Sequence, residues 1–454
     1  MNDFAPIDYH AVTHAQVNLR NDVVGLLIKQ SAQRFSFIYN HDYLTRADAL
    51  PIAATFPLRR EEYLSETLHS YFDNLILEGW LLTQAEKLLH IAKGNRFAML
   101  MATCRHTIGA VSITPLNAQG EELPGLSTTS LPAAESLERH ALTSPYSNAC
   151  PSCLLPSPNG AWHLRCHRDL WGTSKAVSIA LDRVDPFASF SQTIHGGSIS
   201  GAQRKGLFRF DRASATLIPG AAASTHILKP SGDHPDLPEN EHVTMAIARR
   251  LKFNVPPFAL IISTPQVGPA FVIKRFDRIS GGKLLKEDAA QLLGIASEEK
   301  YTGSNERVAA AIALGGSKLD LNEFFRRLMF CFVTGNGDMH LKNWALLEFP
   351  TLNGAMQLSP CYDLLNTRLA LPRESIDIGL PLLGKSRKLQ GSYFRTFALG
   401  KLQLVPRYVE SIFAELPVWQ ATITDFVARS ALEQYSKERY LQIVDERISA
   451  LTMG

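Results

Sequence analysis

The segment GNGDMHLKNW, residues 335–344, sets Asp338, His340, Lys342 and Asn343 between two apolar runs. Upstream, DLNEFFRRLMFCFVTG reads as a buried helix ending at Gly335, the residue type suited to the left-handed position that closes a helix. Downstream, WALLEF–TLNG–AMQLS reads as a β-hairpin, and PCYDLL then places Asp363 in an apolar setting. These are parts that phosphoryl transfer needs. One carboxylate orients an attacking hydroxyl and takes its proton, while an Asn and a second carboxylate hold Mg²⁺ ions that bridge the phosphates. Asp and Asn also cap polar turns with no chemistry attached, so the decision rests on what else the chain supplies, and in what order.

The spacing Asp338-x₄-Asn343 equals that of the protein-kinase catalytic loop, and Lys342 beside it suits neutralisation of charge on a transferred phosphoryl group. Earlier, HGGSISGAQRKGLFRF (195–210) runs into a strand. Its stretch Gly197, Ser198, Ile199, Ser200 and Gly201 lets backbone N–H groups approach an anion closely. Lys229 closes the strand pattern STHILKP, where a point charge against nucleotide phosphates fits as well as a solvated lysine does. A phosphate loop, a lysine, an Asp/Asn pair and a distal Asp follow one another in the order that one phosphoryl-transfer site requires.

A second constellation lies ahead of these. In CPSCLLPSPNGAWHLRC, Cys150 and Cys153 form a CxxC pair, and His163 and Cys166 follow with two residues between them, a Cys₃His set that suits tetrahedral Zn²⁺. Free thiols in a Pro-rich segment read equally well, and His167 is a second imidazole at nearly the same place. Cys104, Cys331 and Cys361 sit in apolar stretches and read as small hydrophobes.

The elements that must hold these residues fall into blocks. Across 17–115, VVGLLIKQ, RFSFIY, FAMLMAT and AVSITPL have the bias of strands, and ETLHSYFDNLILEGWLLTQAEKLLHIAKG has helical spacing. The spacing predicts a small unit over 1–127, then a Ser/Pro-rich linker with little regular structure over 128–176. Residues 177–280 are strand-like apart from ENEHVTMAIARRLKF, and 281–454 turn helical, with three helices between about 400 and 452. Strands first and helices afterwards predict two packed lobes, an α+β fold rather than a doubly wound sheet. At 454 residues the chain exceeds one growing core. A net charge of +3 is too weak to argue nucleic-acid binding. No apolar run reaches a membrane span and the first residues lack the pattern of a secretory signal, so the expected compartment is cytoplasmic.

The set SISGAQRK, HILKP, KRFDR, GDMHLKN and CYDLL resembles the HipA-like serine/threonine kinases, toxins of bacterial toxin–antitoxin pairs, and FSFIYNHDYL with YFDNLILEGW resembles their N-terminal subdomain. The resemblance implies a two-lobed, protein-kinase-like fold with a β-rich N-lobe and a helical C-lobe. It implies Asp338 as the catalytic aspartate with Lys342 beside it, Asn343 and Asp363 as Mg²⁺ ligands, and Lys229 on the phosphates of ATP. Arg275 and Phe276 would lie at the adenine hinge, with Asp277 near the ribose. Ser198 would be the autophosphorylated loop serine, with Ser200 the second candidate. The implied partners are a HipB-like helix-turn-helix antitoxin, through which the chain would reach DNA, and a protein substrate, by precedent an aminoacyl-tRNA synthetase. Two other readings share part of the pattern: a small-molecule phosphotransferase of the aminoglycoside-kinase type, and a catalytically inactive HipA-like binding protein.

Overall fold

The computed structural model describes residues 7–124 and 136–452, apart from 195, 198, 200, 202, 233, 235 and 372–375. The first unit is an antiparallel sheet of β1 (His14–Leu19), β2 (Asp22–Ser31), β3 (Arg34–Tyr39), β4 (Tyr63–Ser65) and β5 (Val111–Leu116), in the order β4-β3-β2-β1-β5. In β1 alternate residues are buried, as a sheet with one covered face requires, while β3 buries Phe35, Ser36 and Phe37 in a row. FAMLMAT, which reads as a strand, is the helix Arg96–Thr103, capped by Asn95. All of Phe97 to Thr103 is buried, so the segment has no polar face to mark a helical period. The long helix expected after residue 66 is two pieces, Ser70–Asp73 and Gly79–Leu88. The break at Gly79, whose φ is 58°, frees Asn74 and Glu78 to reach the far lobe.

A seven-stranded sheet follows: β6 (Leu137–Ala141), β7 (Ser178–Asp182), β8 (Gly206–Asp211), β9 (Thr216–Pro219), β10 (His226–Pro230), β11 (Phe258–Ile262) and β12 (Pro269–Lys274). Its order is β11-β12-β10-β8-β9-β7-β6, antiparallel except for β7 beside β9. The stretch expected to be irregular therefore supplies an edge strand, β6, as well as the helix Leu164–Trp171. One helix, Leu237–Arg250, packs against this sheet and is buried over Leu237 to Ala248.

After the short hairpin β13 (Arg278–Ile279) and β14 (Gly282–Lys283), the chain pairs β15 (Lys286–Asp288), β16 (Ala345–Glu348) and β17 (Met356–Leu358) around a helical lobe. The helix Lys318–Val333 runs through its core and ends as read, with Gly335 at φ 69° and no room for a Cβ beside Ile443 and Asn366. Two long helices, Pro406–Arg429 and Gln434–Thr452, stand where three were expected. The first carries Pro417 inside it, the residue type that breaks a sequence-based helix in two. Among the described residues no helix is long and apolar enough to cross a membrane.

Candidate active site

The loop after Lys318–Val333 holds Asp338 by local hydrogen bonds. Asn336 Oδ1 accepts from the Asp338 backbone N–H at 3.1 Å, and the Asp338 carbonyl accepts from His340 N–H at 2.8 Å and from Asn343 Nδ2 at 2.9 Å. The last bond uses the Asn343 amide nitrogen and leaves its carboxamide oxygen as a hard donor for a cation. The Tyr301 hydroxyl donates to Asp338 Oδ1 at 2.5 Å. Burial nevertheless raises the Asp338 pKa above the ordinary aspartate value, a direction that suits a base. His340 is buried and stacked edge-on to Tyr301 at 5.1 Å. Burial, with Lys300 nearby, lowers its pKa to about 3 and keeps it neutral.

Asp363 reaches this loop from the other side, in the left-handed region at φ 52°. Its Oδ1 accepts from Lys229 Nζ, which also donates to both oxygens of Glu241 at 2.7 and 2.9 Å. Lys229 lies on β10 and Glu241 on the helix Leu237–Arg250, so this bond ties the sheet to its packed helix. In protein kinases a strand lysine and a helix glutamate must pair in the same way for phosphoryl transfer. Burial opposes the ionisation of Asp363, but Lys229 and Lys205 outweigh it and hold its carboxyl well below the usual range. Glu241, more deeply buried and sharing one ammonium with Asp363, is pushed up to about 7. Asp363 and Asn343 together form an oxygen donor set that fits Mg²⁺.

Two cavities meet at Lys205, Lys229 and Asp363. One is a slot of about 90 Å³ walled by Ile108, Ile199, Ile227, Ile273, Phe276 and Tyr362. The other, about 460 Å³, is lined by Asp338, His340 and Asn343 among others. An apolar slot opening into a charged chamber matches a planar base joined to a chain of phosphates. The Phe276 and Tyr362 rings lie tilted against each other on the slot wall, 5.6 Å between centroids.

The phosphate-loop glycine Gly197 bridges to His106 of the first unit, and a Cβ there would collide with Ala221 and the Thr193 carbonyl. Ile199 is buried in the core of the first unit, and Gly201 lies against the Lys205 ammonium at φ 106°. Ser198 and Ser200 lie outside the described residues.

Two expected site residues border the slot but give their charged groups to protein partners. Lys342, expected at the transferred phosphoryl group, gives its ammonium to Glu78 Oε1 at 2.5 Å, the Asn74 carbonyl at 3.1 Å and Ser297 Oγ at 3.2 Å. Asp277, expected near a ribose, is enclosed by Arg275, Arg278 and the Gly109 N–H, each at 2.7 Å. The Arg275 side chain likewise turns to Asp277, Ser224 Oγ and the Thr107 carbonyl, though the residue borders the slot. These bonds hold residues 275–278 to the 107–109 loop of the first unit. Glu241, Tyr301 and Ile108 are site residues the sequence reading missed, because none belongs to a local motif; Lys205 ends the SISGAQRK stretch, but that stretch alone assigns it no role.

Lys205 supplies a pH test. Burial, with Lys229 as a like-charged neighbour, lowers its pKa to about 8 despite Asp363, Glu78 and Glu241. A depressed lysine is charged below that value and neutral above it. ATP affinity should therefore fall as pH rises through about 8, and Lys205→Met should weaken binding roughly 10- to 100-fold and flatten that limb, one charge-assisted bond being lost. Titration with a fluorescent nucleotide from pH 6.5 to 9.5 checks both.

A second cluster lies apart from the cleft. Cys150, Cys153, His163 and Cys166 bring one donor atom each to within 4.8 Å of one another. His167 is excluded from it, its Nδ1 being held at 2.7 Å from the Thr173 carbonyl.

A β-rich lobe and a helical lobe meeting at a Lys–Glu pair, an Asp–Asn loop and a distal Asp define a kinase of the two-lobed class. The family model for the HipA-like C-terminal domain matches residues 197–422, and that for the HipA N-terminal domain matches 15–114. The chain belongs to the HipA family of kinases. It is 39% identical over 185 residues to the kinase-named protein Y4dM of Sinorhizobium fredii, a match spanning 37% of this chain and 45% of that one. It is 23% identical over 474 residues to the serine/threonine-protein kinase toxin HipA of Shewanella oneidensis, across 95% of this chain and 96% of that protein. The solved structure of HipA with HipB and operator DNA from Shewanella oneidensis MR-1 superposes with a TM-score of 0.66 at 19% identity, covering 96% and 97% of the two chains, and shows the same fold.

Proposed function

We propose that this chain is an ATP-dependent serine/threonine-protein kinase that inhibits growth by phosphorylating a protein of translation. The observation that carries this is the convergence of Asp338, Asn343, Asp363 and Lys229 on two joined cavities. In this reading the adenine occupies the slot against Phe276 and Tyr362, and Lys229, held by Glu241, meets the phosphates where the cavities join. Lys205 adds a second positive charge at that junction. Asp338, oriented by Tyr301, accepts the proton of the attacking serine hydroxyl. Asn343 and Asp363 would hold magnesium, which would supply neutralisation of the phosphate charge. The buried setting of these groups strengthens each interaction by excluding water.

The finer parts rest on the family resemblance. The substrate is proposed to be an aminoacyl-tRNA synthetase, and the partner a HipB-like helix-turn-helix protein, as in the Shewanella complex of HipA, HipB and operator DNA. Autophosphorylation of Ser198, or of Ser200, would displace the loop whose Ile199 now sits on the slot wall and so close the enzyme down. Incubation with ATP followed by peptide mass spectrometry should place phosphate on one of these serines. Phosphoproteomics after induced expression, comparing wild type with Asp338→Ala, should yield a second site, on the substrate, that is absent in the variant. No loop phosphate and no protein phosphosite, with ATP still consumed, would turn the assignment to a small-molecule phosphotransferase.

A further inference from the structure

The Cys150–Cys166 cluster is built as a ligand set. Cys150 and Cys153 flank a tight turn in which Leu154 adopts φ 57°, its N–H bonded to the Cys150 carbonyl at 3.0 Å. His163 and Cys166 come from the opening of the helix Leu164–Trp171. The Cys153 sulfur lies 3.3 Å from His163 Nδ1, and the His163 backbone N–H donates to the Cys150 sulfur at 3.4 Å. A separation limit of 4.8 Å leaves little contraction to reach the edges of about 3.6–3.8 Å expected for Zn–S and Zn–N bonds. The outer shell is also in place. His163 Nε2 donates to the Pro156 carbonyl at 3.1 Å, which fixes the tautomer and turns an unprotonated Nδ1 toward the thiols. Three thiolates around a divalent ion leave one net negative charge, and the Arg249 guanidinium stands beside Cys153, His163 and Cys166 on the same cavity wall.

Arg249 links the cluster to the kinase. It lies on the helix Leu237–Arg250, stacks over Phe258 at 4.0 Å and donates to Ser152 Oγ, inside the CxxC turn, at 3.0 Å. One residue after Glu241 on the same helix, His242 hydrogen-bonds the Tyr146 hydroxyl at 2.9 Å, four residues before Cys150. The Pro151 carbonyl accepts from Leu260 N–H on β11 at 2.9 Å, and the Leu154 carbonyl from Arg429 of the C-lobe at 3.2 Å. The turn thus grips the helix, the edge of the sheet and the far lobe together.

We propose that Cys150, Cys153, His163 and Cys166 bind one Zn²⁺ ion in a closed structural site, and that the filled site clamps the helix Leu237–Arg250 so that Glu241 holds Lys229 in the nucleotide cleft. With four protein ligands the ion has no open position, so its role is architectural. The second half rests on the kinase reading; the metal site does not.

Elemental analysis of the purified full chain should give one zinc per chain, and Co²⁺ exchanged for it should give the visible spectrum of a tetrahedral thiolate site. Cys166→Ala should lose the metal and Cys166→His should keep it. Hydrogen exchange should show protection of residues 237–250 falling at least tenfold in Cys166→Ala, with ATP affinity several-fold weaker and Cys166→His restoring both. Should Cys166→Ala not be recovered folded, chelator-stripped wild type gives the same readings. Less than one zinc in ten chains together with no cobalt spectrum would overturn the site. Full zinc in wild type, with exchange over 237–250 unchanged once it is removed, would overturn the clamp. If the kinase reading fails, with Asp338→Asn as active as wild type, zinc content and exchange stay as expected.

Discussion

Replacing Asp338 by Asn should lower the rate of phosphoryl transfer by roughly 10²–10⁴-fold, the range of a lost general base, while ATP affinity stays within about twofold. The carboxamide keeps the shape of the carboxylate and its oxygen still accepts from the Tyr301 hydroxyl, so the loop geometry held by Asn336, His340 and Asn343 has no reason to move. What Asn cannot do is take a proton. The pH profile separates this from a general weakening. Burial raises the Asp338 pKa, so wild-type activity falls as pH drops through a value above that of an ordinary aspartate, ~3.9, and that limb vanishes in the variant. Asp363, held well below the usual range, stays charged throughout and adds no limb. Glu241, at about 7, leaves its own inflection in both proteins. Single-turnover kinetics with a serine peptide, or with the loop serine itself, measures the effect. A variant within threefold of wild type would remove Asp338 from the chemistry.

The residues that could be read from the sequence share one property, which is that their chemistry is packed into a few consecutive positions. Asp338 and Asn343 sit in one loop, and the turn that presents them is announced by Gly335. Lys229 and Asp363 lie far from that loop, but each closes a recognisable apolar run. Glu241 had no such mark. It is a glutamate on a buried helix, and only the pairing of that helix with β10 gives it a role. Lys342 shows the complementary limit: its place in the motif is adjacent to Asn343 and it borders the slot, but at the 3₁₀ turn over Leu341–Asn343 its ammonium pairs with Glu78 of the first unit. The same limit governs the elements. β2 and β3 alternate or carry β-branched and aromatic runs and were legible, whereas Arg96–Thr103 is buried all round and has no period to read. Residues 137–141 became a strand only because β7 was there to pair with.

Lys342 also carries the largest expected effect on stability, through its partner. Glu78, at the break between the two helical pieces of the first unit, receives Lys342 at 2.5 Å, Lys300 at 2.8 Å and the Ser297 hydroxyl at 2.8 Å. Lys342 is 2% exposed, so its ammonium has little water to turn to. Burial disfavours the Glu78 carboxylate, yet the two lysines outweigh it and hold the carboxyl well below the usual range. Its contribution to stability is thus present above the unfolded-state pKa of about 4.3 and is lost as pH falls below it. Glu78→Ala should cost about 3–5 kcal/mol, because removing one partner strands a buried charge. Equilibrium urea unfolding at pH 7 measures this, and the loss should shrink at pH 3.5. Glu78→Leu combined with Lys342→Met should recover most of the stability, since apolar groups of similar volume replace a buried pair at little cost. That double variant also decides what Lys342 does. If its ammonium only fastens the first unit to the catalytic loop, the rate of phosphoryl transfer stays within about tenfold of wild type. A loss as deep as that of Asp338→Asn, in a protein that is stable again, would return Lys342 to the reacting phosphoryl group.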